Sequence, residues 1–113
     1  MKRDWELIRL ILLEIEKLPA NGYLFPQHIK GFPVEVVSYH FKILKEAGLI
    51  EAECNPLCIA KSLTWEGHEF LDRIRQNTVW NKIGEMAVNS GISLSFEAIK
   101  ELSKIALKQI IGG

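Results

Sequence analysis

Two cysteines, four prolines and no excess of either charge are what this 113-residue chain has little of, and each shortage narrows its reading. Two cysteines cannot build the disulfide framework that replaces a core in small secreted domains. They lie in CNPLC as Cys54 and Cys58, and a zinc site would need two more ligands and a second closely spaced pair, so no metal is expected. The ordinary reading is free thiols at a hairpin turn, with a disulfide across Asn55-Pro56 as the alternative. No apolar run approaches the ~20 residues that span a bilayer. The start, MKRDWELIRL, mixes charge with Leu and Ile at helical spacing and has no cleavable leader pattern. The expectation is a cytoplasmic protein with no membrane partner.

Charge is even along the whole chain. Residues 1–27 carry four basic and four acidic groups, residues 28–65 four and four, and residues 66–113 six and six. A nucleic-acid binder draws much of its affinity from phosphate neutralisation, so a basic stripe would have to be made by one face of the fold. Chemistry-bearing constellations are also missing. There is no phosphate-cradling glycine motif, no nucleophile beside a base and no carboxylate–histidine cluster, and His28, His40 and His68 stand apart in sequence. Neither an enzyme nor a cofactor is expected.

What is present is a globular composition, 48% hydrophobic and 25% charged. A chain of this length buries roughly two-thirds of its unfolded surface and folds without a metal. Residues 4–18 read as a helix capped by Asp4, with Trp5, Ile8, Ile11, Leu12 and Ile15 on one face and Leu10 and Leu13 on the other side. Residues 23–33, YLFPQHIKGFP, combine strand formers with three helix breakers and leave room for at most one supporting turn near Gln27 to Lys30. Pro33 opens the next helix, which Gly48 stops. LIEAEC and CIAKSLTW read as two strands of a hairpin. Thr64 caps a helix containing Gly67, whose presence there suggests close backbone packing. Two further helices follow, one ending at Gly91 and one starting from Ser95.

Helix, strand, helix, hairpin, helix is the order of a winged-helix domain. VSYHFKILKEAGLI resembles the reading helix of metal-responsive and antibiotic-resistance-type bacterial repressors, and SLTWEGHEFL is similar to their wing exit. Over nearly the full length, KRDWELIR, YHFKILKEAGLIEA, LTWEGHEFLDRIR and TVWNKI resemble a family of small uncharacterised proteins common in phages and prophages. That resemblance implies a winged-helix-like fold and a bacterial or phage setting, and brings no established activity. The expected fold class is therefore mainly α with a small β-hairpin wing (α+β): a winged-helix-like domain over 1–76 and a helical extension over 77–113.

The helical wheel assigns roles along the presumed reading helix. Val36, Val37, His40, Phe41, Ile43, Leu44 and Ala47 form one apolar arc, so His40 is read as a buried, hydrogen-bonded histidine. Ser38, Tyr39, Lys42 and Lys45 are left to face double-stranded DNA, with Lys61 from the wing and help from Lys2 and Arg3, against Glu35, Glu46, Glu51 and Glu53. On the last helix, apolar residues cover more than half the circumference. A homodimer through Leu10, Leu13, Ile99, Leu102, Ile105 and Ile110 is the expected consequence, and it would present two reading helices to adjacent half-sites. The competing reading is a protein-interaction module on a degenerate winged-helix scaffold, with a host protein as partner.

Overall fold

A computed structural model describes residues 1–112. Five helices and one two-stranded antiparallel sheet make up its regular structure among the described residues, so the fold is mostly α with a small hairpin. The chain divides into two compact units, residues 1–71 and 72–113, where the sequence suggested a boundary after residue 76.

In the first unit, α1 runs Trp5–Glu16, a single 3₁₀ turn occupies Pro26–His28, α2 runs Val34–Glu46, β1 Ile50–Cys54 and β2 Cys58–Leu63, and α3 begins at Trp65 and ends at Ile74. The Asp4 carboxylate accepts the free amides of Glu6 and Leu7, as its place before the apolar run predicts. α1 packs on β2 and α2. Its buried set is Leu7, Ile8, Ile11, Leu12 and Ile15, while Trp5, Leu10 and Leu13 are half-buried. The inward arc is thus turned toward Leu7 and away from Trp5.

Residues 23–33 form both of the alternatives their composition allowed. Leu24 makes an isolated antiparallel bridge to Ala60 on the outer edge of β2, with both amides engaged, and Pro26–His28 then turns the chain into α2. The His28 ring stabilises that turn by accepting the Phe25 amide through Nδ1.

Gly48 ends α2 in a left-handed conformation, φ 79°. The Leu49 amide reaches back to the Leu44 carbonyl and the Gly48 amide to that of Lys45, the paired pattern of a glycine-terminated helix. Leu44 and Leu49 are both buried beneath it. β1 pairs with β2 from Ile50↔Leu63 to Cys54↔Cys58, with an irregularity after Glu51. Thr64 joins three elements: its amide donates to the Leu49 carbonyl, its hydroxyl donates to the Gly48 carbonyl, and that oxygen accepts the Gly67 amide. Gly67 lies so close to this junction that a Cβ would stand 2.0 Å from the Leu49 carbonyl oxygen. The glycine inside α3 is therefore required by the backbone that crosses it.

In the second unit, α4 (Asn77–Ser90) and α5 (Phe96–Gly112) pack against each other. Gly91, at φ 67°, stops α4, and the Ser95 hydroxyl accepts the Ala98 amide at the head of α5. Val79, Trp80, Ile83 and Ala87 are buried on α4, and Ile99, Leu102 and Ala106 on α5. Two of the residues expected at a dimer interface, Ile99 and Leu102, are therefore already covered within one chain, because a helix with so wide an apolar arc buries its centre first. Ile105 and Ile110 remain about half exposed, together with Leu107, and Ile111 is more exposed still.

Candidate nucleic-acid interface

α2 has two differently occupied sides. His40 is fully buried. Its Nε2 accepts the Asp4 amide at 2.9 Å, and because that partner can only donate, the ring proton sits on Nδ1, which donates to the Val36 carbonyl at 2.8 Å. The imidazole thereby fixes the head of α1 to the middle of α2. Nothing about it is free to act as a base or to reach a groove, in line with its place in the apolar arc.

Ser38 requires a correction. The wheel puts it on the polar side, as a DNA contact, but it is buried and its hydroxyl accepts the Cys58 amide at 2.9 Å. The end of β2 covers this turn of α2, although the helix alone would leave it open. Ser38 is a tie between helix and hairpin. Tyr39, next to it, is half-buried, with its ring edge-on to that of His40.

Lys42 and Lys45 are exposed on successive turns of α2. Lys45 lies near enough to Glu53 on β1 to help hold that carboxyl below its usual range, although the larger cause is the hydrogen bond and charge of Lys61. Lys61, on β2, has the opposite shift: its hydrogen bond to Glu53 raises it, with smaller help from the charges of Tyr23 and Glu51. The Lys61–Glu53 contact is short, and the Lys61 ammonium also lies 5.9 Å from the centre of the Tyr23 ring. Lys61 was expected as a wing contact to phosphate, yet its charge is already directed at a carboxylate. Glu53, two positions from Glu51 along β1, is the residue that sequence reasoning treated only as a nearby opposing charge. Their approach across the hairpin follows from the register, in which Glu53 pairs with Ile59 two residues before Lys61.

Beside this pair, a shallow cleft of about 340 Å³ is lined by Asn21, Tyr23, Glu51, Lys61 and Ser62. It is polar and open to solvent. Among the described residues, no three His, Cys, Asp or Glu side chains gather as metal ligands, and no helix is long and apolar enough to cross a membrane. Arg3, read as auxiliary phosphate grip, stacks over the Trp5 ring at 5.2 Å. Lys42 and Lys45 are thus exposed cations with no ion pair among the described residues, Lys61 is paired with Glu53, and Glu35, Glu46, Glu51 and Glu53 are exposed as well.

Comparison with known proteins reaches the family level. An uncharacterized protein of Haemophilus influenzae (strain ATCC 51907 / DSM 11121 / KW20 / Rd) is 46% identical over 117 residues, covering 98% of this chain and 99% of that protein. No solved structure matches. Residues 2–93 match the model of a family described as "Hypothetical protein (DUF2513)", a span that takes in α1, the α2–hairpin face, α3 and α4, and the chain therefore belongs to the DUF2513 family.

Proposed function

We propose that the protein is a DNA-binding regulator of winged-helix type, in a bacterial or phage setting, which reads duplex DNA with α2. Support comes first from topology. The order α1, Leu24 bridge, 3₁₀ turn, α2, β1, β2, α3 follows the winged-helix plan, with Leu24 in the position of the short first strand and the turn in that of the support helix. The observation that carries the reading is the outward pair Lys42 and Lys45 on α2. Both are exposed, and neither is tied up by a carboxylate in an ion pair among the described residues. Two lysines a turn apart fit successive phosphates or guanine edges. Tyr39 is half-exposed one turn earlier. Lys61 and Ser38 supply little direct contact in this reading. Ser38 sets the hairpin against α2, and Lys61 holds Glu53 away from the phosphates.

Few cations mean modest affinity, so a second copy of the chain on an adjacent half-site belongs to the proposal. Its contacts would use exposed Ile105 and Ile110, with the half-buried Leu10 and Leu13 at most peripheral. The test is selection from a randomised duplex pool at roughly 50 mM salt, where phosphate contacts are least screened. A palindromic site should be enriched, and Lys42→Glu with Lys45→Glu should weaken binding at least tenfold while leaving the unfolding midpoint unchanged. A double variant that binds as well as the parent would overturn the reading.

A second reading has its own observation. The hairpin presents Glu51 and Glu53, with Lys61 neutralised between them, a surface suited to a protein partner, such as a host protein, more than to a phosphate backbone. Failure of the chain to retain any duplex would favour it.

A further inference from the structure

Neither the topology nor the lysines of α2 account for the bond between Cys54 and Cys58. The sequence favoured free thiols here, and the structure joins them in a disulfide at the last pair of the β1–β2 register. Its contribution to holding the fold is small. A cross-link stabilises by closing a loop in the unfolded chain, an effect that grows with loop length, and these cysteines are only four apart in sequence. The register is in any case set by the ladder and by buried Ile50, Ala52, Ala60 and Leu63. What the bond does hold is the turn Asn55-Pro56-Leu57, all of it exposed.

The two halves of the cross-link are unlike. Cys54 is exposed. Cys58 is 2% exposed, and its amide is bound by the Ser38 hydroxyl of α2. Attack on a disulfide needs access to one sulfur, and here only the Cys54 side offers it. We propose that Cys54–Cys58 is a thiol–disulfide exchange site, opened by a dithiol reductant at the Cys54 sulfur, that switches the hairpin tip between a fixed and a loose state.

The exchange balances without further reactants. A thiolate of the dithiol forms a bond to the Cys54 sulfur; the Cys54–Cys58 bond breaks, and its electron pair leaves on the Cys58 sulfur, which takes up a proton. The second thiol of the reductant then attacks its own sulfur in the mixed disulfide and expels Cys54, which takes up the other proton. Two electrons and two protons pass to the protein, and the reductant departs as its disulfide. Afterwards Cys58 stays in place through burial and Ser38, whereas Cys54 and residues 55–57 lose the covalent tie that closed the turn. Because Ser38 belongs to α2, a partner spanning α2 and the hairpin meets a different surface in each state.

The proposal does not depend on DNA binding, and its test uses the whole chain without substitution. Oxidised protein should take up no alkylating agent, and protein reduced with dithiothreitol should take up two equivalents by intact mass. Brief treatment with glutathione in the presence of alkylating agent should leave glutathione on Cys54 and the alkyl group on Cys58, by at least ten to one in peptide maps. Exchange of the Asn55 amide, which donates to the Leu57 carbonyl across the turn, should quicken at least tenfold on reduction, while Cys58 and Ala60 keep their protection. Two free thiols in the air-oxidised protein, or glutathione placed evenly or on Cys58, would overturn the assignment. So would unchanged exchange at the tip, or loss of protection throughout residues 1–71, which would make the bond a structural staple.

Discussion

In residues 1–71, side chains of one element repeatedly complete the backbone of another. His40 on α2 takes the Asp4 amide at the head of α1, Ser38 takes the Cys58 amide of β2, and Thr64 binds the Gly48 carbonyl beyond α2. In residues 72–112, Ser95 and Ser103 bond to groups three residues away on their own helix, and Lys104 pairs with Glu101 at the same spacing. α4 and α5 pack against each other and bury Val79, Trp80, Ile83, Ile99 and Leu102, and α5 still leaves Ile105, Leu107, Ile110 and Ile111 uncovered. Polar ties between elements fix a unique register, because each misplacement strands a buried donor or acceptor. Aliphatic contact is more forgiving of position. Under the proposed function, the cross-element ties would hold the face of α2 in place, and the uncovered apolar residues of α5 would meet a second chain.

Substitution can break this comparison. The largest effect is expected at Gly67→Ala, where a methyl group would meet the Leu49 carbonyl oxygen. Overpacking against backbone should destabilise by about 3 kcal/mol, well beyond the ~1 kcal/mol that alanine gains in a helix, as read by urea unfolding. An unchanged midpoint would mean that α3 does not cross the Leu49 backbone so closely. His40→Leu keeps an apolar filling but leaves the Asp4 amide and the Val36 carbonyl without the ring. A loss of about 2 kcal/mol is expected, with faster amide exchange at Asp4 as the local sign.

On the other side of the comparison, Ile105→Ser with Ile110→Ser should change stability by no more than about 0.5 kcal/mol, since both residues are about half exposed. If a second copy binds there, sedimentation should show the doubly substituted chain as a monomer where the parent is a dimer. A monomeric parent would end that use of α5. The smallest effect concerns the exposed Lys61–Glu53 pair. Its bond keeps Glu53 charged to lower pH than the ordinary 4.5. The depressed value means that the interaction is complete above the ordinary carboxylate range and is lost as pH falls through the lowered one. Lys61→Ala should bring the Glu53 midpoint back toward 4.5 in a carboxyl-detected titration, and no movement would mean the pair is not kept in solution.

Chain punctuation was largely legible. Asp4, Gly48, Thr64, Gly91 and Ser95 all start or stop helices where their chemistry says they should, because capping depends on atoms within a few residues. His40 could be placed inward from helical period alone. Ser38 could not be placed, since it lies off the arc that the period defines and is buried only because the hairpin arrives over it. The same holds for the candidate interface. Lys42 and Lys45 were readable as an outward pair, while the capture of Lys61 by Glu53 depended on how β1 and β2 align.

The sequence by itself marked the caps and stops at Asp4, Gly48, Thr64, Gly91 and Ser95 and the hairpin that follows α2, because these rest on local backbone chemistry and side-chain period. Only the tertiary structure decided that Ser38 serves the hairpin, that Leu24 joins the edge of β2, and that Cys54 and Cys58 meet with one side open. Those outcomes require residues far apart, or on opposite sides of a turn, to be brought within bonding distance, and no local rule specifies which distant group will arrive.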